Sequence, residues 1–125
     1  MLLGVTWIVG AAISASTPAV AEPYQVAVLQ GLDKVTARVW TIEAPIGETV
    51  RFGTLEILAR TCEKRSPEEQ PESAAFVEIR ELRQGVQPVN LFRGWMFASS
   101  PALSAIEHAV YDVWVIDCRN TSNSR

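Results

Sequence analysis

Beyond residue 22, apolar and polar residues alternate with a period of two along most of the chain, the pattern of half-buried strands. In the lead-in Glu22–Leu32, Tyr24, Val26 and Val28 alternate. From Lys34 to Ile42, Val35, Ala37 and Val39 share one face while Thr36, Arg38 and Trp40 share the other. Ala44-Pro45-Ile46-Gly47 then punctuates the run as a turn. Glu48–Phe52 and Leu55–Cys62 flank Gly53-Thr54, which predicts a hairpin closed by a two-residue loop. Alternation resumes in Ala75–Leu82 through Val77 and Ile79. After the turn Arg83-Gln84-Gly85, a return strand is expected over Val86–Phe92, with Pro88 marking an edge position because proline cannot donate to a ladder.

Three segments depart from this rhythm. Glu63–Ser73 holds four glutamates and two prolines with no other apolar residue, so an exposed, mobile loop is expected there. Ser100-Pro101 has the form of a helix start, serine as cap and proline at the first helical position, opening a short helix over Ala102–Glu107. Val110–Cys118 is apolar on both faces, which suits a central strand covered on two sides. About six or seven short strands with close turn signals predict an all-β fold, a small antiparallel sandwich or barrel with one short helix.

The first 21 residues carry no charged side chain. A largely apolar stretch gives way to small and hydroxylated residues, and Ala19-Val20-Ala21 ends in a small-x-small pattern before Glu22. That layout predicts a secretory signal peptide over 1–21, cleaved between Ala21 and Glu22, although the usual basic start is missing. An uncleaved anchor is the alternative, but the apolar core is short for a span of about 20 residues and Pro18 interrupts it. No cysteine follows the cleavage point, which disfavours a lipoprotein. The expected product is periplasmic, without a membrane span, organised as a β-rich domain over 22–118 and a polar tail over 119–125.

Export would place the chain in an oxidising compartment. Its two cysteines, Cys62 and Cys118, allow one pairing. The closed loop of about 57 residues would be worth on the order of 4 kcal/mol in the chain-entropy description. A redox or metal role is the alternative, but the spacing is not Cys-x-x-Cys and a single histidine leaves too few metal ligands. The net charge of −3 argues against nucleic acid, which needs a basic face. No phosphate loop or dinucleotide fingerprint is present, and no metal or cofactor is expected.

The densest chemistry lies in Phe92-Arg93-Gly94-Trp95-Met96-Phe97. With Gly94 permitting close backbone approach, these residues either line a groove for a peptide or small apolar ligand or plug the open end of the sandwich as core. Arg93 could pair with a carboxylate, Asp112 being a candidate. Trp40 is either a second-layer core residue or an exposed contact. His108 has Ser104, Glu107 and Asp112 near it in sequence, but no nucleophile elbow accompanies it. Its expected place is the helix C-terminus, where a cation is favoured. Asp112 and Asp117 fall on opposite strand faces roughly 16 Å apart, too far to act as an acid–base pair. No catalytic residue is assigned.

Four segments together resemble one uncharacterised bacterial family, domain-of-unknown-function family 2155. They are Ala27 through Arg38, Phe52-Gly53-Thr54-Leu55, Gly94 through Pro101, and Tyr111-Asp112-Val113-Trp114-Val115 with Asp117-Cys118. The resemblance implies a small exported protein, mostly alphaproteobacterial, set beside envelope or respiratory-membrane machinery. It brings no catalytic residues. The expected function is therefore a non-enzymatic periplasmic domain that binds a protein partner, at an inner-membrane complex or elsewhere in the envelope. The alternatives are a carrier of small apolar ligands or peptides at the Trp95 region, and a hydrolase using His108.

Overall fold

The computed structural model describes residues 3–6, 10–12, 22–65, 71–104 and 106–121. Most of the predicted signal segment lies outside the described residues, and so do 66–70 and 122–125. The described residues form eight strands: β1 (Glu22–Pro23), β2 (Val26–Asp33), β3 (Arg38–Pro45), β4 (Thr49–Phe52), β5 (Leu55–Lys64), β6 (Ser73–Glu81), β7 (Val89–Phe97) and β8 (Tyr111–Arg119). They build two antiparallel sheets. One has the order β1-β5-β6-β7, with β4 paired to the other half of the β5 edge; the second has the order β3-β2-β8. The all-β sandwich expected from the alternation is the fold observed.

The core lies between the sheets. Leu55, Ile57, Ala59 and Cys62 of β5 and Ala75, Val77 and Ile79 of β6 face Ala27 and Leu29 of β2 and Val113, Val115 and Cys118 of β8, all fully buried. At one end the Cys62–Cys118 disulfide joins the sheets with Cα atoms 5.7 Å apart, inside the usual span for such a bond.

The hairpin β4–β5 forms as its sequence predicts. Phe52 pairs with Leu55, leaving Gly53-Thr54 as the loop, and Gly53 sits at φ 58°, the conformation a two-residue turn of this kind requires at its first position. The return strand runs over Val89–Phe97 instead of Val86–Phe92, so Pro88 lies just before it; the strand does end its sheet, as an edge position requires.

Several expectations are corrected. Lys34–Ala37 is a turn rather than strand. The Asp33 carboxylate accepts the amides of Val35 and Thr36 at 2.9 and 3.2 Å, and Ala37 takes φ 60°. A side chain thus makes the turn locally, and alternation through Val35 is coincidental. The central strand of the second sheet is β2, not Val110–Cys118. β8 lies at the sheet's edge, and its outward Ile116 is exposed. In place of the two-turn helix there is one 3-10 turn, Pro101–Ser104. Glu63 and Lys64 belong to β5 and Ser73 to β6, so the acidic connection is shorter than expected. The polar tail begins pinned: Arg119 is the last residue of β8, the Asn120 side chain accepts the Gln25 amide, and the Thr121 amide donates to the Gln25 side chain. Among the described residues no helix is long and apolar enough to cross a membrane.

Candidate functional site

Strand alternation divides the segment Phe92–Phe97 in two. Opposite β6, Phe92 pairs with Ile79, Gly94 with Val77 and Met96 with Ala75. These are core-facing positions, and Met96 is 1% exposed. Arg93 pairs with Glu78, Trp95 with Phe76 and Phe97 with Ala74, all on the outer face. Core plug and surface contact are therefore both realised, on alternate residues. Gly94 is ordinary strand; a Cβ there would meet only the Phe92 ring, at 3.5 Å. Arg93 pairs with Glu78 at 3.6 Å, not with Asp112, whose carboxylate accepts the Val113 amide.

On this outer face Trp95 and Phe97 are 40% and 36% exposed. Trp95 meets Phe76 edge-to-face, ring centroids 5.7 Å apart. With Glu63, Arg65, Glu72 and Ala74 they line an open depression of about 300 Å³. Glu72 is fixed at its border by the Ser99 hydroxyl and amide. Burial works against its charge, but the Ser99 and Ser73 hydrogen bonds and Arg65 outweigh it and hold the carboxyl below its ordinary range. Ser99 thus serves to hold Glu72. Further along the face the residues are charged, in the ion pairs Arg60–Glu78 and Arg80–Glu56.

A second constellation lies at the end of the sandwich away from the disulfide, and its residues come from distant parts of the sequence. Trp40 on β3, Phe52 on β4 and Tyr111 on β8 follow one another edge-to-face at 5.7 and 5.2 Å, and the His108 ring stacks on Tyr111 at 5.2 Å. Two glycines make the room. A Cβ on Gly31 would lie 2.7 Å from the Phe52 ring, and one on Gly53 would lie 2.4 Å from the Tyr111 phenol. Trp40, left open between two roles by the sequence, is 42% exposed and packs on Phe52. Asp33, Trp40, Ile42, Arg51, Phe52 and Tyr111 line a cleft of about 480 Å³ between the free edges of β3 and β4.

Behind Tyr111, the half-buried His108 and the buried Glu81 form a pair, Nε2 to Oε2 at 2.6 Å. The amides of Val110 and Tyr111 both donate to His108 Nδ1 at 3.0 Å. A nitrogen that accepts two N–H groups carries no proton, so the proton of the neutral ring sits on Nε2 and is donated to Glu81. Thr54 Oγ1 donates to the same carboxylate at 3.0 Å, and Arg83 pairs with it at 2.7 Å. The His108 hydrogen bond foremost, with Thr54 and Arg83, overcomes the burial penalty and lowers the Glu81 carboxyl to about 2. His108 is therefore not a helix cap. Both its ring nitrogens are engaged, leaving none to take a proton from a nucleophile in this arrangement.

Sequence reasoning did not find Glu81. A signal was present: the inward phase Ala75-Val77-Ile79 continues into position 81, so an acid falls on the core face and must find donors there. Which donors these are depends on register with residues far along the chain, which local spacing does not contain. Asp117 pairs with Lys64 at 2.8 Å. Among the described residues no group of three or more His, Cys, Asp or Glu side chains is gathered as metal ligands.

Two antiparallel sheets, a disulfide across one end and a histidine–glutamate pair at the other define a disulfide-clasped β-sandwich domain. Residues 27–118 match the family model described as an uncharacterized protein conserved in bacteria (DUF2155), and the chain belongs to that family. It is similar to an uncharacterized protein of Rickettsia prowazekii (strain Madrid E), 33% identical over 87 residues, which are 70% of this chain and 56% of that protein. The chain thus spans about half the length of that relative. No solved structure matches.

Proposed function

We propose that the chain is an exported, non-enzymatic domain of the bacterial cell envelope that binds a protein partner through the outer face of β7. The observation that carries this reading is the exposed pair Trp95 and Phe97 on an edge strand, beside Phe76 and bordered by charged residues. An aromatic centre with a polar border is the composition of an interface hot spot. The Cys62–Cys118 disulfide supports an oxidising compartment, and the charge-free first 21 residues support export. A small-ligand carrier at the same place would have only the shallow depression for its ligand, since Met96 faces the core.

The test is affinity purification from membrane and soluble fractions in mild detergents, with the native chain and a Trp95→Ser/Phe97→Ser variant side by side. A stoichiometric partner retained by the native chain and lost by the variant is expected. Recovery without a partner in every condition, or equal recovery by the variant, would count against the interface. Mass spectrometry of the same material addresses export, where a mature start at Glu22 is expected and an intact amino terminus or two free thiols would refute it.

A further inference from the structure

The cleft between β3 and β4 belongs to neither the β7 face nor the core. The rings of Trp40, Phe52 and Tyr111 form part of its walls, beside Asp33, Ile42 and Arg51. Beside these rings, two charged side chains have no ion pair among the described residues. Asp33 lines the cleft with one oxygen held by the Val35 and Thr36 amides, and no cation among the described residues pairs with it. Arg38 is its cross-strand neighbour, yet the two form no ion pair. Lys34 is turned away, its ammonium donating to the His108 carbonyl at 2.8 Å. Arg51 lines the same cleft, and among the described residues its guanidinium has neither an ion pair nor a hydrogen bond.

Aromatic faces beside a carboxylate attract a diffuse, weakly hydrated cation: the rings supply their negative faces, the carboxylate supplies net charge, and the methyl groups lose little on leaving water. An unpaired arginine in the same cleft suits an anionic group on the same ligand. We infer that the Trp40–Phe52–Tyr111 cleft, with Asp33 and Arg51, binds a zwitterion that carries a quaternary ammonium and an anionic group. A volume of about 480 Å³ lies within the range of small-molecule sites. The shared chemistry could be presented by a free solute or by a lipid headgroup. Local contacts set the geometry of the cleft: the Val35 amide holds Asp33, Phe52 seats over Gly31, and Tyr111 over Gly53.

The experiment is a titration of the native chain followed through the Trp40 indole N–H and the Gly53 and Tyr111 amides by nuclear magnetic resonance. The probes are phosphocholine, choline and 3,3-dimethyl-1-butanol, the neutral shape-match of choline. Phosphocholine is expected to bind saturably and choline more weakly. The neutral alcohol should bind at least about tenfold more weakly than choline, the size of a desolvated cation–π contact. Asp33→Asn, which keeps the turn acceptor, should weaken choline and phosphocholine alike, whereas Arg51→Gln should weaken phosphocholine alone. Retention on phosphatidylcholine vesicles but not on phosphatidylglycerol vesicles would assign a headgroup; binding of free phosphocholine without vesicle retention would assign a solute. The inference is overturned if the alcohol binds as tightly as choline, or if no probe shifts the cleft signals. Neither result touches the β7 face, which the Trp95→Ser/Phe97→Ser comparison tests by itself.

Discussion

The two ends of this sandwich are held in opposite ways. At one end Cys62 and Cys118 tie β5 to β8 by a covalent bond, surrounded by small side chains such as Ala27, Ala44 and Ala75 that are fully buried. About 23 Å further along β8, the sheets meet through Tyr111, His108 and Glu81, a stack of rings ending in a buried carboxylate with three kinds of donor. The first contact acts mainly by restricting the unfolded chain and has no proton to exchange. The second acts only in the folded state and depends on which groups are protonated. One small core thus combines a fixed end with a responsive one, and the aromatic cleft adjoins the responsive one.

The largest way to break this comparison is to remove the covalent end. The pair Cys62→Ser/Cys118→Ser should lose on the order of 4 kcal/mol of stability, the chain-entropy value for closing a loop of this length, measured by urea unfolding. A loss below about 1 kcal/mol would mean that the polar end holds the sheets together without help.

At the other end Gly53→Val should lose about 2–3 kcal/mol. A β-branched residue at φ 58° is strained, and its Cβ would displace the Tyr111 phenol. A loss within about 0.5 kcal/mol, the usual range for a surface substitution, would show that the ring stack is not tightly seated.

The smallest effect should be the sharpest discriminator. The Glu81 carboxyl lies at about 2 instead of its ordinary 4.5, so its contribution is fully present above pH 4.5 and lost as pH falls from there towards 2. Stability should decline across that window, and Glu81→Gln should flatten the decline while lowering stability at neutral pH. Hydrogen exchange should locate it: the Val110 and Tyr111 amides should lose protection in acid before the amides around Cys118. Equal loss at both ends would refute the division.

These differences also explain what could be read from the sequence. The hairpin β4–β5 was legible because Gly53-Thr54 encodes its turn locally, and the disulfide because two cysteines allow one pairing. The edge position of β7 agrees with the expectation drawn from Pro88, although Pro88 itself precedes the strand. Misassignment arose where tertiary contacts decide. Val26–Asp33 is central because β3 and β8 flank it; the alternation of Tyr24, Val26 and Val28 marked a strand there, but the burial of Ala27 and Leu29 on its other face is set by tertiary packing. The turn at Lys34–Ala37 contains no glycine, so it resembled strand; the Asp33 side chain makes it. The segment Phe92–Phe97 was visible as unusual, but assigning alternate residues to core and surface needed the register with β6. The cleft was the least legible, because Asp33, Trp40, Phe52 and Tyr111 meet only after both sheets have formed.

The place of β2 has a consequence for how the molecule is made. Its β3 neighbour follows directly through a tight turn, whereas β8 lies roughly eighty to ninety residues further on. A half-assembled sheet must therefore wait with one flank of β2 uncovered, while Val26, Val28 and Leu29 have no lasting cover. Such an intermediate is exposed to mispairing with other chains. Early joining of the two sulfurs would shorten the wait by delivering β8 to the vicinity of its slot, so an oxidant would act on this chain as an assembly factor before it acts as a source of stability.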